Sequence, residues 1–319
     1  MSEQRLPNQP GDFQMQPYAD DEIDLKELFA VLWAGKLHII GVTAIAAIIA
    51  VAVAIYMPNI YRSEALVAPV SANGGGMGGL ASKFGGLASL AGISLPSGGS
   101  DKTGLGIEVM KSRQFLQDFI AKRQILPDLM AIEKWNASSG EVVYDDEVYL
   151  AANKQWVREA KPPRTSIPSV QEAHEAFLKV LSVSQDKESG FVSIAIEHES
   201  PVVAQQWVTW LVEDINETIR KQDVEQAERS IAYLKEQISS TSLADLQAGF
   251  FEMIQSQTET IMLAKASPEY LFKTLDPAVV PELKAKPKRA LIAVLGTMLG
   301  GMLGVLIVLI RHYAFKEEQ

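Results

Sequence analysis

Two long apolar runs near opposite ends of the chain, with one large polar segment between them, restrict the fold more than any other feature of the sequence. The first, "LHIIGVTAIAAIIAVAVAIYM" (Leu37–Met57), contains no acid, lysine or arginine and carries one histidine at its edge. The second, Ala290–Ile310 within "KAKPKRALIAVLGTMLGGMLGVLIVLI", is interrupted only by glycines and one threonine. About 20 apolar residues in a helix rising about 1.5 Å each cover the roughly 30 Å hydrocarbon core of a bilayer, so both runs are expected to cross one. A cleaved signal peptide is not expected at the first run, because an acidic stretch precedes it and it is too long for an apolar signal core. The expected organisation is a cytoplasmic arm with an interfacial helix over 1–36, spans at 37–57 and 290–310, an α+β domain over 58–289, and a cytoplasmic tail over 311–319.

Charge sets the expected topology. Lys26 and Lys36 precede the first span and only Arg62 closely follows it, which favours a cytoplasmic N-terminus. The second span shows the opposite bias, with Lys284, Lys286, Lys288 and Arg289 before it and Arg311 and Lys316 after. Long segments translocate largely regardless of charge, so the first span should dominate and both termini should be cytoplasmic. The four cations then lie on the outer side, where they either snorkel to lipid phosphates or meet a lipid-linked or protein partner. A formal net charge of −10 argues against a nucleic-acid partner. With no cysteine there is neither a disulfide framework nor a thiolate metal site.

"DDEIDLKELFAVLWAGK" places Leu25, Leu28, Phe29 and Leu32 at helical spacing with Trp33 beside the span, the pattern of an interfacial helix or of a helical extension of the span. "IYRSEALVAP" predicts a strand over Tyr61–Val67. The Gly-rich stretch 73–106 contains "GGSDKT" (98–103), but Asp101 stands where a phosphate loop needs glycine, so it reads as a loop and not a nucleotide site. Residues 107–126 predict an amphipathic helix ending before Pro127, and 136–169 predict loops around a short helix near Glu147–Arg158. "LKVLSVSQDKESGFVSIAIEHES" alternates as a β-hairpin should.

Ser200-Pro201 opens the longest predicted helix, about 201–248, since neither proline nor glycine follows until Gly249. Within it Val224, Ala227, Ile231, Leu234 and Ile238 step by three and four residues, the seam of a coiled coil. Such a helix needs partners from other subunits or from helices folded back on it; the alternative is two helices joined near Ser239–Ser242. In the apolar runs, Ala46, Ala50 and Ala54 and likewise Gly296, Gly300 and Gly304 repeat every four residues, so the two spans are expected to pack along these small-residue faces.

Nothing in the pattern supports catalysis. The four histidines are scattered without metal-ligand spacing, and acid pairs such as Asp145–Asp146 and Glu213–Asp214 lie on polar stretches that read as solvated faces. No nucleophile elbow, Walker motif or zincin helix is present, and residues 311–319 are too few for a kinase domain. The chain is expected to be no enzyme and to hold no cofactor or metal.

Taken in order, "EIDLKELF…LW", the first span, "IYRSEALVAP", "LASLAGISLPSGG", "SRQFLQDFI", "SQDKESGFVSIAIEHESPVVAQQWV", "AERSIAYLKEQI" and "KPKRALI" resemble the Wzz chain-length determinants, the class 1 polysaccharide co-polymerases, over about residues 20–312. The resemblance implies an inner-membrane protein with a periplasmic domain built on a small mixed sheet and a long helix. It also implies a ring-like homo-oligomer that works with a Wzy-type polymerase on lipid-linked polysaccharide and sets the modal length of O-antigen or a related glycan. The functionally important proline-containing approach to the second span carries over to Pro277, Pro281 and Pro287, with Lys286, Lys288 and Arg289 as contacts for lipid carrier or polymerase. The Gly-rich loop departs from that pattern. The alternative reading is a periplasmic adaptor or tether of an export complex, disfavoured because adaptors carry many more regular strands; a sensor is disfavoured because the tails hold no effector.

Overall fold

The computed structural model describes residues 25–70, 100–241 and 243–316. The chain divides into two compact units, Met1–Tyr56 with Arg289–Gln319, and Met57–Lys288.

The first unit contains α1 (Leu25–Ala34), α2 (Lys36–Tyr56) and the C-terminal helix, whose range is Arg289–Lys316. Lys36–Tyr56 and Arg289–Tyr313 are long and apolar enough to cross a membrane. The two helices run antiparallel, with Gly296 against Ala50, Gly300 against Ala46, Gly304 against the Ile39 backbone and Gly35 against Val308. A Cβ built on Gly304 would sit 3.1 Å from Ile39 Cα, and one on Gly296 or Gly300 would collide with the facing alanine methyl. Missing side chains thus let the backbones approach, the condition for dispersion to hold helices together in lipid. At one end Arg289 Nε donates to the carbonyl of buried Ala54 at 2.9 Å. On α1, Phe29 and Trp33 are exposed and lie 6.2 Å apart, with the Lys36 ammonium over the Trp33 ring.

The second unit is α+β. In chain order it holds β1 (Tyr61–Pro69), α3 (Ser100–Lys111), α4 (Arg113–Arg123), α5 (Leu126–Met130), β2 (Ile132–Asn136), β3 (Glu141–Tyr144), β4 (Tyr149–Leu150) and β5 (Gln155–Trp156). There follow α6 (Val170–Val180), β6 (Leu181–Gln185), β7 (Val192–His198), α7 (Pro201–Ser240), α8 (Ala244–Ala266) and β8 (Phe272–Asp276); α9 is the Arg289–Lys316 helix of the first unit. The main sheet has the order β6-β7-β1-β8, and every pairing is antiparallel, where a mixed sheet was expected. Its alternating inward residues, among them Val67, Ile194 and Ile196, meet Trp207, Val208, Leu211 and Ile215 of α7, all buried. Phe115, Phe119, Phe177, Trp207 and His198 form a continuous chain of ring contacts through this core.

Two helices depart from their sequence-predicted bounds for the same reason. The long helix ends at Ser240 rather than near 248, and α8 begins at Ala244 and folds back along it. Ser239 and Ser240 turn their hydroxyls onto the carbonyls of Glu236 and Gln237, and Gln247 Nε2 takes the carbonyls of Ile238 and Thr241. A cluster of hydroxyl residues offers the backbone alternatives to the helical ladder, so the chain turns there. Likewise the helix predicted over 107–126 breaks at Ser112, which caps α4 by accepting from Phe115 N–H. Pro127 sits inside the short α5, near its start. The loop reading of 73–106 fails over 100–106, which is helical; its other residues lie outside those described. The short helix predicted near Glu147–Arg158 is replaced by the β4–β5 hairpin.

The return of the chain from α8 is fixed by Asn216, a buried residue of α7. Its Nδ2 donates to the carbonyls of Val212 (2.9 Å) and Phe272 (3.0 Å), and its Oδ1 accepts from Leu271 N–H (2.7 Å) and Phe272 N–H (2.8 Å). The helix thereby reads the edge of β8 as a neighbouring strand would. At the other end of the core a capping box starts α6: Ser169 and Glu172 exchange bonds, and the Glu172 carboxylate also takes Arg158 at 2.9 Å. Arg158 and the Ser169 N–H together hold the Glu172 carboxyl down at about 2.

Three outcomes are expected. Asn216→Leu leaves backbone donors at Leu271 and Phe272 without their partner, and should cost about 3 kcal/mol in chemical denaturation of the detergent-solubilised protein. Glu172 has a depressed folded pKa, so its stabilisation is present above the unfolded value and is lost as pH falls from about 4.5 through about 2. Glu172→Gln should therefore be less stable at neutral pH and flatten the stability profile across that acid window. Because the native chain has no cysteine, oxidising an A50C/G296C double variant in membranes should give an intramolecular cross-link seen as a mobility shift of the monomer. Dimers alone would show that these faces pair between copies.

Candidate functional site

The segment from Pro277 to Arg289 connects the sheet to α9, and its three prolines supply no N–H of their own. Donors from other elements hold it instead. Gln205 Nε2 on α7 donates to the carbonyl of Ala278 (3.3 Å), and the buried hydroxyl of Ser63 on β1 donates to that of Val279 (2.7 Å). Further on, Ile60 O accepts from Ala285 N–H (2.8 Å) and Ile60 N–H donates to Lys286 O (3.0 Å), an antiparallel bridge. The two ends of the second unit are thus tied side by side by their own backbones.

The cations singled out from sequence have different surroundings. Lys286 Nζ lies 2.6 Å from the Glu197 carboxylate on β7. Lys284 Nζ donates to Asn59 Oδ1 at 3.1 Å. Arg289 belongs to the other unit and is half-buried against the Ala54 carbonyl. Lys288 is exposed. Pro287 is half-buried between Lys286 and Lys288. A charged lysine at 286 is therefore engaged in the fold as well as displayed.

The long-helix seam is occupied within the chain. Ala227 and Leu234 are buried, while Val224, Ile231 and Ile238 are half-buried, on the face of α7 against which α8 packs. Of the small residues in the apolar helices, Ala46, Ala50, Gly296, Gly300 and Gly304 lie in the helix contact described above, and Ala54 is buried beside Arg289.

Sequence reasoning misjudged one acid. Asp214, read as solvated, is buried and accepts from Lys122 (2.9 Å) and from two nitrogens of Arg123 (3.1 and 2.7 Å), while Arg123 also stacks over Trp210. The hydrogen bonds that Lys122 donates to Glu217 and Asp214 raise its pKa. The cluster's hint in the sequence is the pair of cations closing α4. His198 is likewise structural: Ser200 N–H donates to its Nδ1 (3.0 Å), so its Nε2–H donates to the Asp128 carbonyl (2.9 Å). Burial pushes its pKa down and keeps the ring neutral. Among the described residues no group of His, Asp and Glu converges as a metal site.

Residues 21–123 match the family model "Wzz: Chain length determinant protein", and residues 247–313 match "GNVR: G-rich domain on putative tyrosine kinase". Among curated proteins none matches the chain. Similar solved structures include the following two. A "full-length bacterial polysaccharide co-polymerase" has 16% identity, a TM-score of 0.38 and coverage of 92% of this chain and 99% of that one. A fragment of WzzB, a polysaccharide co-polymerase from Salmonella Typhimurium, has 11% identity, a TM-score of 0.28 and coverage of 72% of this chain and 100% of that one. With two apolar helices at the borders of an α+β unit, and the determinant model matched over residues 21–123, the chain resembles the Wzz chain length determinants, a family of non-catalytic polysaccharide co-polymerases.

Proposed function

We propose that this protein regulates the modal length of O-antigen lipopolysaccharide in the bacterial inner membrane. In this reading it is a multi-pass homo-oligomer, ring-like, with both termini cytoplasmic and the segment 58–289 periplasmic, acting beside a Wzy-type polymerase on lipid-linked polysaccharide. The match of residues 21–123 to the chain length determinant model carries the proposal. The two candidate spans on either side of the α+β unit support it.

Length control is then geometric. The protein makes and breaks no glycan bond; it gathers polymerase and carrier and limits how long a chain is extended before release. The anionic pyrophosphate of a lipid carrier is a fitting partner for cations next to the second span. Lys284 and Lys286 are exposed but engaged by Asn59 and Glu197, whereas Lys288 is exposed with no side-chain partner among the described residues. Lys286 is accordingly assigned to holding the segment and Lys288 to contact with the carrier.

Deleting the gene should turn a clustered lipopolysaccharide ladder into a random one, and an unchanged ladder would refute the proposal. Lys288→Gln should shift the mode with no change in thermal stability. Lys286→Gln and Glu197→Gln should resemble each other, since either breaks the same pair. An export defect of a different substrate, with the ladder intact, would favour the adaptor reading.

A further inference from the structure

A cavity of about 490 Å³ opens in the second unit between α4, α5, the β4–β5 hairpin and the start of α6. That volume falls in the range of about 300–1,000 Å³ typical of small-ligand sites. Its floor is apolar and buried: Ile120, Tyr149, Pro168 and Ala173. The Tyr149 ring is braced by Tyr144 (5.6 Å) and Trp156 (4.9 Å). Its rim carries the amides of Gln117 and Gln124 and the ammonium of Lys154, all exposed.

Two observations set this cavity apart from an accidental hollow. None of the three rim side chains spends its polar end on a hydrogen bond or ion pair with another described residue. Moreover Gln124 (φ 55°) and Lys154 (φ 51°) are the only non-glycine residues of positive φ among those described, and both line the cavity. Gln124 occupies the left-handed cap of α4, where glycine is the unstrained choice. Retaining a side chain at both positions carries a backbone cost, and such residues concentrate at functional sites.

We infer that this cavity is a saccharide-binding site that prefers a sugar bearing a carboxylate. An apolar floor with a braced tyrosine suits the C–H face of a pyranose ring. Primary amides, each with donors and an acceptor, suit its hydroxyls. Among the described residues Lys154 is the one charged residue that lines the cavity, so the preferred ligand is anionic. The relevance of a glycan to this protein rests on the function proposed above; the binding chemistry stands on the cavity.

The test is saturation-transfer NMR on the full-length protein in lipid nanodiscs, with digalacturonic acid and cellobiose as probes. Transfer to ring protons should be stronger for the acidic disaccharide. Ala121→Trp, at an exposed lining position of α4, should fill the mouth and reduce transfer at least fivefold. Gln124→Gly with Lys154→Gly removes two rim groups while relieving the backbone, so it should fold with an unchanged or higher melting temperature, weaken binding and erase the preference for the acid. No transfer to the native protein, transfer unchanged in both variants, or equal transfer to the two probes would overturn the inference. If gene deletion alters the ladder while the native protein shows no transfer, the cavity assignment alone fails. If deletion leaves the ladder unchanged while the variants abolish binding, the functional reading alone fails.

Discussion

The second unit depends on how a chain that has left its sheet through a 40-residue helix finds the sheet again. Hydrophobic burial is not directional, so the apolar contacts of Phe272 and Leu271 with the core set where the returning strand lies but not its register. Asn216 supplies the register. Its amide meets the backbone of residues 271 and 272 with donors and acceptors in fixed order, and a slip of one residue would leave a buried amide unpaired. With β8 placed beside β1, the segment beyond it runs back to Ile60, and both ends of the unit emerge together.

That return also explains the unequal roles of neighbouring cations. Lys286 lies where the backbone bridge to Ile60 forms, and β7 presents Glu197 to it. Both side chains retain access to water, so the pair is a modest stabiliser whose geometry matters more than its energy. It leaves Lys288 pointing at no partner of its own among the described residues. A run of cations that looks uniform in sequence is thus divided by the fold: Lys284, Lys286 and Arg289 each meet a partner, and Lys288 meets none among the described residues.

The sequence made the long-period features legible. A long, largely apolar run, strict alternation around Ile194, and the Ser200-Pro201 start each involve many residues or a strong local signal, and each element lies where its pattern put it. Missed were features that depend on few residues or distant ones. The β2–β3 pair is short, and β8 has five residues whose partner strand lies about two hundred positions earlier. The break at Ser112 follows from a single hydroxyl that caps the next helix, whereas the break at Ser240, where Ser239 and Ser240 both bond back to the helix, falls at the junction offered as the alternative to one long helix. Of the candidate site, residue types and proximity to the second span were legible; the Lys286–Glu197 pairing and the burial of Asp214 were not, because both follow from tertiary contact.

The folding back of α8 changes what the apolar stripe of α7 can do. A stripe buried by a helix of the same chain cannot at the same time be the seam of a coiled coil with another copy. Its cover is incomplete, since Val224, Ile231 and Ile238 remain half-buried while Ala227 and Leu234 are enclosed. Ala227 is the narrow residue of that stripe, with Val224 and Ile231 on either side of it along the helix. The hairpin is therefore stabilised within the chain itself.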